Sequence, residues 1–328
     1  MKQPNPSILD NQHSGADHDI YAFPLSFAQQ RLWVIQQMED VGSAFNIYGA
    51  FYVGGTFEIS VFKSAIQYLV NRHETFRTTF NLIHDKPVQV IHPTAIIEIE
   101  VEDLASKPFS DERISTICLE ESRFVFDIEI GPLFRIKVIR CSEEKHVLSF
   151  CFHHIISDGW SVGVFASELQ IAYEAFLNHL PVPLPELPFQ YADYTIWQRE
   201  QFEAGVMQNQ LDFWKEYLYG APESINLLFD NPHRSVQTFS GDSVSFFIPE
   251  EQSRLLKQIA DDAGATMYMT MLAAFSVLLS KYTLQDDMLI GSVVSNRNRS
   301  EWESLIGFLV NIVVFRLKPN SDVSFFNF

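Results

Sequence analysis

Phe150-Cys151-Phe152-His153-His154-Ile155-Ile156-Ser157-Asp158-Gly159-Trp160-Ser161 is the stretch whose reading decides this chain. An almost wholly apolar strand carries two adjacent histidines, then an acid and a glycine, into the start of a helix. Side chains alternate along a strand, so Leu148, Phe150, Phe152 and His154 share one face and Ser149, Cys151 and His153 the other. If the strand stays regular that far, a given pocket sees one imidazole. Asp158-Gly159 at the turn brings backbone N–H groups and a helix N-terminus beside it.

Three chemistries fit a His-His pair so placed. The bland one is two satisfied core histidines and a turn aspartate capping the next helix. A zinc site fits poorly, because adjacent strand residues diverge and no H-E-x-x-H or nearby Cys/His set completes a tetrahedron; no metal is assigned. The third is general-base catalysis, since a neutral imidazole, with its ordinary pKa of ~6.5, can take a proton from an attacking amine or hydroxyl. Gly159-Trp160-Ser161-Val162-Gly163 also matches G-x-S-x-G, the nucleophile-elbow pattern of serine hydrolases. An elbow sets its serine at the strand end, whereas this serine stands well past His154. Of the later histidines, His179 and His233 lack a catalytic context. The plain reading puts Ser161 and Gly163 in a helix's first turns.

Working outward, residues 1–20 read as a disordered tail and Tyr21-Ala22-Phe23-Pro24 as the start of the fold. Ser26 and Gln29 form an S-x-x-Q capping box for a first helix. Ser60 is placed to cap a second helix. Strands are expected at Ile47–Val53, Phe76–Phe80, Val88–Ile91, Ile97–Val101, Leu133–Arg140 and Val147–His153, with a helix over 110–124 between the last groups. A helix from Ser161 to Leu180 follows, with Val164, Phe165, Leu169, Ala172, Phe176 and Leu177 at helical spacing. Four prolines at 181, 183, 185 and 188 then end regular structure. This gives domains of 21–180, a stiff connection at 181–189, and 190–328. The latter should hold helices near 190–202, 207–218, 250–262 and 266–282, and strands near 243–248, Met288–Val294 and Asn311–Leu317. The apolar run Met271–Leu279 reads as a buried helix, too short to cross a bilayer.

The chain has 328 residues, 47% hydrophobic and 20% charged, which suits a globular protein of about two domains. Its formal charge of −18, with no basic cluster beyond Arg297–Arg299, argues against nucleic acid or a membrane as partner. Three cysteines, Cys118, Cys141 and Cys151, form no C-x-x-C pair, and the N-terminus has no apolar signal region; a cytoplasmic location is expected.

His153-His154-x-x-x-Asp158-Gly159 resembles the H-H-x-x-x-D-G motif of condensation domains of nonribosomal peptide synthetases, which are similar to chloramphenicol acetyltransferase. Four further segments, in the family's order, narrow the resemblance to that family. Ser26–Trp33 is similar to S-x-A-Q-x-R-L-W and Arg72–Phe80 to R-H-E-x-L-R-T-x-F. Tyr191–Gln198 is similar to Y-x-D-Y-A-x-W-Q and Ile306–Asn311 to I-G-x-F-V-N-T. Ile312 and Leu309 depart from the family's Thr and Phe, both changes of packing. The motifs resembling H-Q-D-x-P-F-E and R-D-x-S-R-N-P-L-F-Q, which close complete condensation domains, are missing.

The resemblance implies a mixed α/β (α+β) fold of two chloramphenicol-acetyltransferase-like lobes in a V-shaped pseudo-dimer, the second lobe incomplete. It implies a soluble acyltransferase that forms an amide between a carrier-bound acyl or peptidyl thioester and the amine of a carrier-bound aminoacyl group. Substrates would arrive on phosphopantetheine arms of an upstream and a downstream carrier protein, with no covalently bound cofactor and an adenylation domain adjoining. His154 would act as base or stabilise the tetrahedral intermediate, Gly159 N–H would hold the reacting groups, and His153 would orient the strand. Asp158 would be structural and paired with Arg297 across the lobes. Arg72, Arg77, Trp160 and Ser161 would line the tunnel. The alternatives are an acyl-CoA-dependent acyltransferase of the same superfamily and an inactive truncated or docking domain, although docking relatives commonly have a damaged His motif and this one is intact. The first two motifs and the opening Met also suit a lipid-initiating starter domain.

Overall fold

The computed structural model describes residues 21–39, 41–105, 110–231, 238–239, 241–319 and 324–325. The tail expected at 1–20, His233, Phe326 and Phe328 lie outside these residues. The chain forms two compact units, one running to Ala204 and adding Ser295–Asn311, the other made of Gly205–Val294 and the segment from Ile312.

In the first unit, β1 (Tyr21–Pro24) leads into α1 (Phe27–Met38), and the expected capping box is present: Gln29 N–H donates to the Ser26 hydroxyl and Ser26 N–H to the Gln29 side chain. β2 (Asn46–Gly54) and α2 (Ile59–Arg72) follow. Ser60 lies inside α2 and is not its cap; the cap position is Glu58, with no side-chain hydrogen bond. A 3-10 turn over Glu74–Arg77 takes the place of the strand start expected at Phe76, and β3 runs Thr78–Ile83. β4 (Lys86–Ile91), β5 (Ile99–Asp103), α3 (Asp111–Ser122), β6 (Phe134–Arg140) and β7 (Lys145–His153) complete the strands of this unit. α4 (Gly159–Leu177) and α5 (Tyr191–Glu203) close it.

The strands form a three-stranded sheet, β1-β4-β3, and a four-stranded sheet, β2-β7-β6-β5, in which β5 and β6 alone are parallel. β7 is central and buried along nearly its whole length, which is why its sequence reads as an apolar run instead of a clean alternation. On one face α2 and α4 pack over an aromatic core. Phe134 stacks on Phe152 at 4.5 Å, Phe76 on Phe134 at 5.1 Å, and Phe165 meets Phe152 edge-on at 5.2 Å. Each such fully buried ring contributes about 1.5–3 kcal/mol. On the other face α3 sets Ile114 and Ile117 against Ile139 and Val147.

The boundary expected at residue 180 is displaced. The proline stretch is an irregular connection, but α5 beyond it belongs to the first unit, because Tyr191, Ala192 and Tyr194 are buried there and Tyr191 hydroxyl bonds to Ser26. Ser295–Asn311 returns to the same unit through Trp302, Leu305 and Leu309, which pack on Tyr191 and Tyr194. Proline runs mark where regular structure stops, and packing decides where a domain stops.

The second unit contains α6 (Gln208–Tyr217), α7 (Glu250–Asp262), α8 (Met267–Thr283) and a ladder of β8 (Met288–Val294) with β9 (Asn311–Leu317). Arg316 braces it, donating to both Asp287 carboxylate oxygens and to the carbonyls of Tyr217 and Tyr219. Two expectations fail here. Residues 243–248 form no strand, since among the described residues nothing pairs with them, and Val244, Phe246 and Phe247 are exposed. The Met271–Leu279 run does lie on α8, yet Met271, Phe275 and Leu278 face solvent, because three helices and two strands leave that side uncovered.

Candidate active site

β7 ends at His153, and His154–Ile156 is a single 3-10 turn leading to α4. The strand alternation assumed for His154 therefore stops one residue early, and the turn sets its direction. His154 backbone N–H donates to Phe45 O at 2.8 Å. Gln29 donates its side-chain N–H to Ile155 O at 3.2 Å, and Thr75 its hydroxyl to Ile156 O at 3.2 Å. The two carbonyls of a tight buried turn, which would otherwise cost about 1–3 kcal/mol each unpaired, are satisfied by side chains from α1 and from the 3-10 turn after α2.

The two imidazoles are unlike. His153 is buried among Phe45 and Phe126, and its Nδ1 accepts from Ile155 N–H at 3.2 Å, which leaves the ring proton on Nε2. Burial, with a smaller push from His154, lowers its pKa to about 4. His154 is half-buried and rests against the Phe308 ring at 4.6 Å. Its Nδ1 lies 2.8 Å from Ser157 O; a carbonyl accepts only, so Nδ1 carries the proton and Nε2 keeps its lone pair. That is the tautomer a base needs. Gly159, at the first position of α4, is exposed with nothing within 4 Å of where a Cβ would stand, and its N–H belongs to the turn whose donors have no partner inside the helix.

The lowered pKa of His153 has a sign that can be measured. An unfolded histidine titrates near ~6.5 and the buried one near 4, so the unfolded chain binds more protons in between. The neutral ring's contribution is complete above pH ~6.5 and is lost as the pH falls toward 4, on the order of 3 kcal/mol in all. Urea titrations from pH 7 to 4 should show a shallower loss for His153→Asn than for the wild type.

Asp158 caps α4 and is the centre of the site's scaffolding. Its Oδ1 accepts from Ser161 N–H at 2.9 Å, Ser161 hydroxyl at 2.7 Å and Arg297 Nη2 at 3.1 Å. Its Oδ2 accepts from Arg297 Nη1 at 2.9 Å and from the backbone N–H groups of Leu309 and Val310 at 3.1 and 3.2 Å. Both charged side chains are shut off from solvent, and both belong to the first unit. With six donors on two oxygens, this carboxylate is fully occupied and has no lone pair left for chemistry.

The sequence profile of the condensation domain matches residues 20–328. The chain belongs to the condensation-domain family. It is 40% identical over 304 residues to a linear gramicidin synthase of Brevibacillus parabrevis, a match that covers 92% of this chain and 6% of that synthase. Among solved structures, the X-domain from teicoplanin biosynthesis superposes with a TM-score of 0.83 at 24% identity, covering 93% of this chain and 67% of that one. The first condensation domain of the CDA synthetase does so with a TM-score of 0.78 at 17% identity, covering 93% and 73%. Those structures establish the mixed α/β fold.

The other residues singled out in this condensation domain are scaffold. Ser161 is not on a tunnel wall: it is buried, and its hydroxyl also meets Gly307 O at 3.0 Å, Gly307 N–H at 3.1 Å and Arg297 Nη2 at 3.0 Å. A fluorophosphonate probe should leave it unlabelled. Ser161→Ala should lower stability by about 1–3 kcal/mol, read by thermal melting, because buried donors lose their acceptor. Arg72 is not a lining residue either, since Glu168 holds its guanidinium at 3.1 Å beside a 2.6 Å contact from His73. Arg77 ties the carbonyls of Val70 and His92. Trp160 is exposed, donating to Glu303 O at 2.9 Å, with the Arg297 guanidinium 5.6 Å from its ring. Sequence reasoning passed over Gln29, Thr75 and Tyr191, whose hydroxyl donates to Phe308 O at 2.7 Å. The available signal was that each lies in a segment matching the family. Gly307 is required there because a Cβ would enter the Tyr191 ring.

Proposed function

We propose that this chain condenses a carrier-bound acyl or peptidyl thioester with the amine of a carrier-bound aminoacyl group, as one domain of a longer nonribosomal peptide synthetase. The observation that carries the reading is the His154 ring, fixed through Nδ1 with its Nε2 lone pair free beside the exposed N–H of Gly159. The acceptor amine attacks the thioester carbonyl, a C–N bond forms, and Nε2 takes a proton from the amine nitrogen. Gly159 N–H steadies the developing oxyanion. The tetrahedral intermediate then expels the donor's thiolate, which leaves with a proton as the free thiol of its phosphopantetheine arm. His153 stays neutral throughout.

On this reading the chain supplies the first lobe, and part of the second, of a V-shaped pair of chloramphenicol-acetyltransferase-like lobes. Its 73% coverage of the CDA condensation domain supports an incomplete second lobe. Upstream and downstream carriers and an adenylation domain are the partners, in keeping with the multi-domain relatives. A docking role is the second reading, favoured by the match to the X-domain. The test places the domain in its full synthetase with two loaded carriers and follows amide formation by mass spectrometry. Dipeptide or acyl-amino acid on the downstream carrier supports catalysis; none, with both carriers loaded and bound, supports docking; equal turnover with free acyl-CoA supports the acyl-CoA alternative.

A further inference from the structure

Within the first unit a cavity of about 510 Å³ lies between the face of β2 and β7 and the side of α4. Antiparallel register puts Ile47, Gly49 and Phe51 directly opposite Phe152, Phe150 and Leu148, so these residues form one wall. Val162, Ala166 and Leu169 of α4 form the other. One end is fixed by Phe152 and Val162, two residues before His154 and three after Gly159. The other end is closed by Phe57 and Tyr173, stacked at 5.6 Å, with the Tyr173 hydroxyl already accepting from Glu58 N–H. From Val162 to Tyr173 the helix advances about 16 Å at ~1.5 Å per residue, the length of roughly ten to twelve methylenes. The walls therefore offer an elongated apolar slot and almost nothing to pair with a charge or an amide.

Gly49 is the residue with no structural reason to be glycine. It sits mid-strand in an unbroken ladder from Asn46 to Gly54, its φ is not in the left-handed region, and a Cβ there would meet the Phe51 ring at an ordinary 3.5 Å. Glycine weakens a strand interior, and where no bulge or bend calls for it, it commonly marks the close approach of a ligand. A larger side chain at this position would point into the cavity from between Phe51 and Ile47. The glycine keeps the slot open.

We propose that this cavity holds the chain of a straight aliphatic acyl donor of about eight to twelve carbons, its thioester end toward His154, and that Gly49 sets the room for it. The proposal rests on the acyltransferase reading and makes the donor a lipid. The wild-type chain would be titrated calorimetrically with acetyl-, hexanoyl- and decanoyl-pantetheine. Affinity should rise by about four-fold per added methylene up to decanoyl, the fold-change of ~0.8 kcal/mol per buried methylene. Gly49→Leu should weaken decanoyl-pantetheine at least ten-fold and leave acetyl-pantetheine unchanged, and Gly49→Ala should lie between. Ala166→Phe, filling the slot from the helix side, gives the same answer if Gly49→Leu fails to fold. Equal affinity for the three chains, or a Gly49→Leu protein that melts like the wild type and binds decanoyl as well, overturns the proposal. Binding that follows chain length in a synthetase forming no amide from any donor would sink the catalytic reading and keep the site. Amide formation indifferent to chain length would do the reverse.

Discussion

His154→Ala should lower amide formation between two loaded carriers by about two to four orders of magnitude, the usual contribution of a positioned general base. The substitution removes the one ring whose nitrogen is both oriented and unoccupied. Its orientation comes from the Ser157 carbonyl on Nδ1 and from Phe308 against the ring, and both contacts survive poorly in any other residue. The fold should be nearly unaffected, because the turn is held by its backbone through Phe45 O, Gln29 and Thr75 and not by the imidazole. Melting temperature and carrier affinity should therefore stay close to wild type while single-turnover rate collapses. His154→Gln, which keeps a side-chain amide but cannot take up a proton, should be as slow. A rate within three-fold of wild type for His154→Ala would remove the base and leave the helix N-terminus and substrate positioning as the whole of catalysis.

Local chemistry was legible where one signal dominates. α7 at Glu250–Asp262, β8 at Met288–Val294 and β9 at Asn311–Leu317 fall on their sequence-based expectations, since periodicity and end signals agree there. Boundaries were missed where a cap or a turn decides: α4 starts at Gly159 because Asp158 caps it, two residues before the expected Ser161. Residues 243–248 have strand-like composition, but a strand exists by its neighbour, and no periodicity within one segment can report that. The same limit hid most of the site. Gln29 reaches Ile155 across 126 positions and Thr75 reaches Ile156 across 81, and such bonds leave no trace in spacing. The motif resemblance carried that information indirectly. Four separated segments each supply a bond to the histidine turn, to the Asp158 carboxylate or to the Phe308 carbonyl, which gives the folded site a physical reason for their joint appearance.

Asp158→Ala should be the most destabilising single change in the first unit, by about 3–5 kcal/mol. It strips the Arg297 guanidinium of both its carboxylate bonds inside a site closed to solvent, where Nε already lacks a partner. It also removes the cap of α4 and orphans the N–H groups of Leu309 and Val310, so the segment Ser295–Asn311 loses its tie to the histidine turn. Arg297→Ala should be nearly as harmful, because the carboxylate is then the unpaired buried charge. The two effects share one cause. In Asp158→Asn with Arg297→Met neither buried charge remains, while the amide can still cap α4, so the double variant should lose less than the sum of its singles by at least 1 kcal/mol. Denaturant titrations of the four proteins of that cycle read the coupling directly. Additive losses would mean that the pair stabilises nothing as a pair, and that Asp158 matters as a cap and a backbone anchor alone. Because His154 lies four residues before Asp158, the cycle has a second readout: the single variants should lose amide-forming activity through a loosened turn, and the double variant should recover part of it along with the stability.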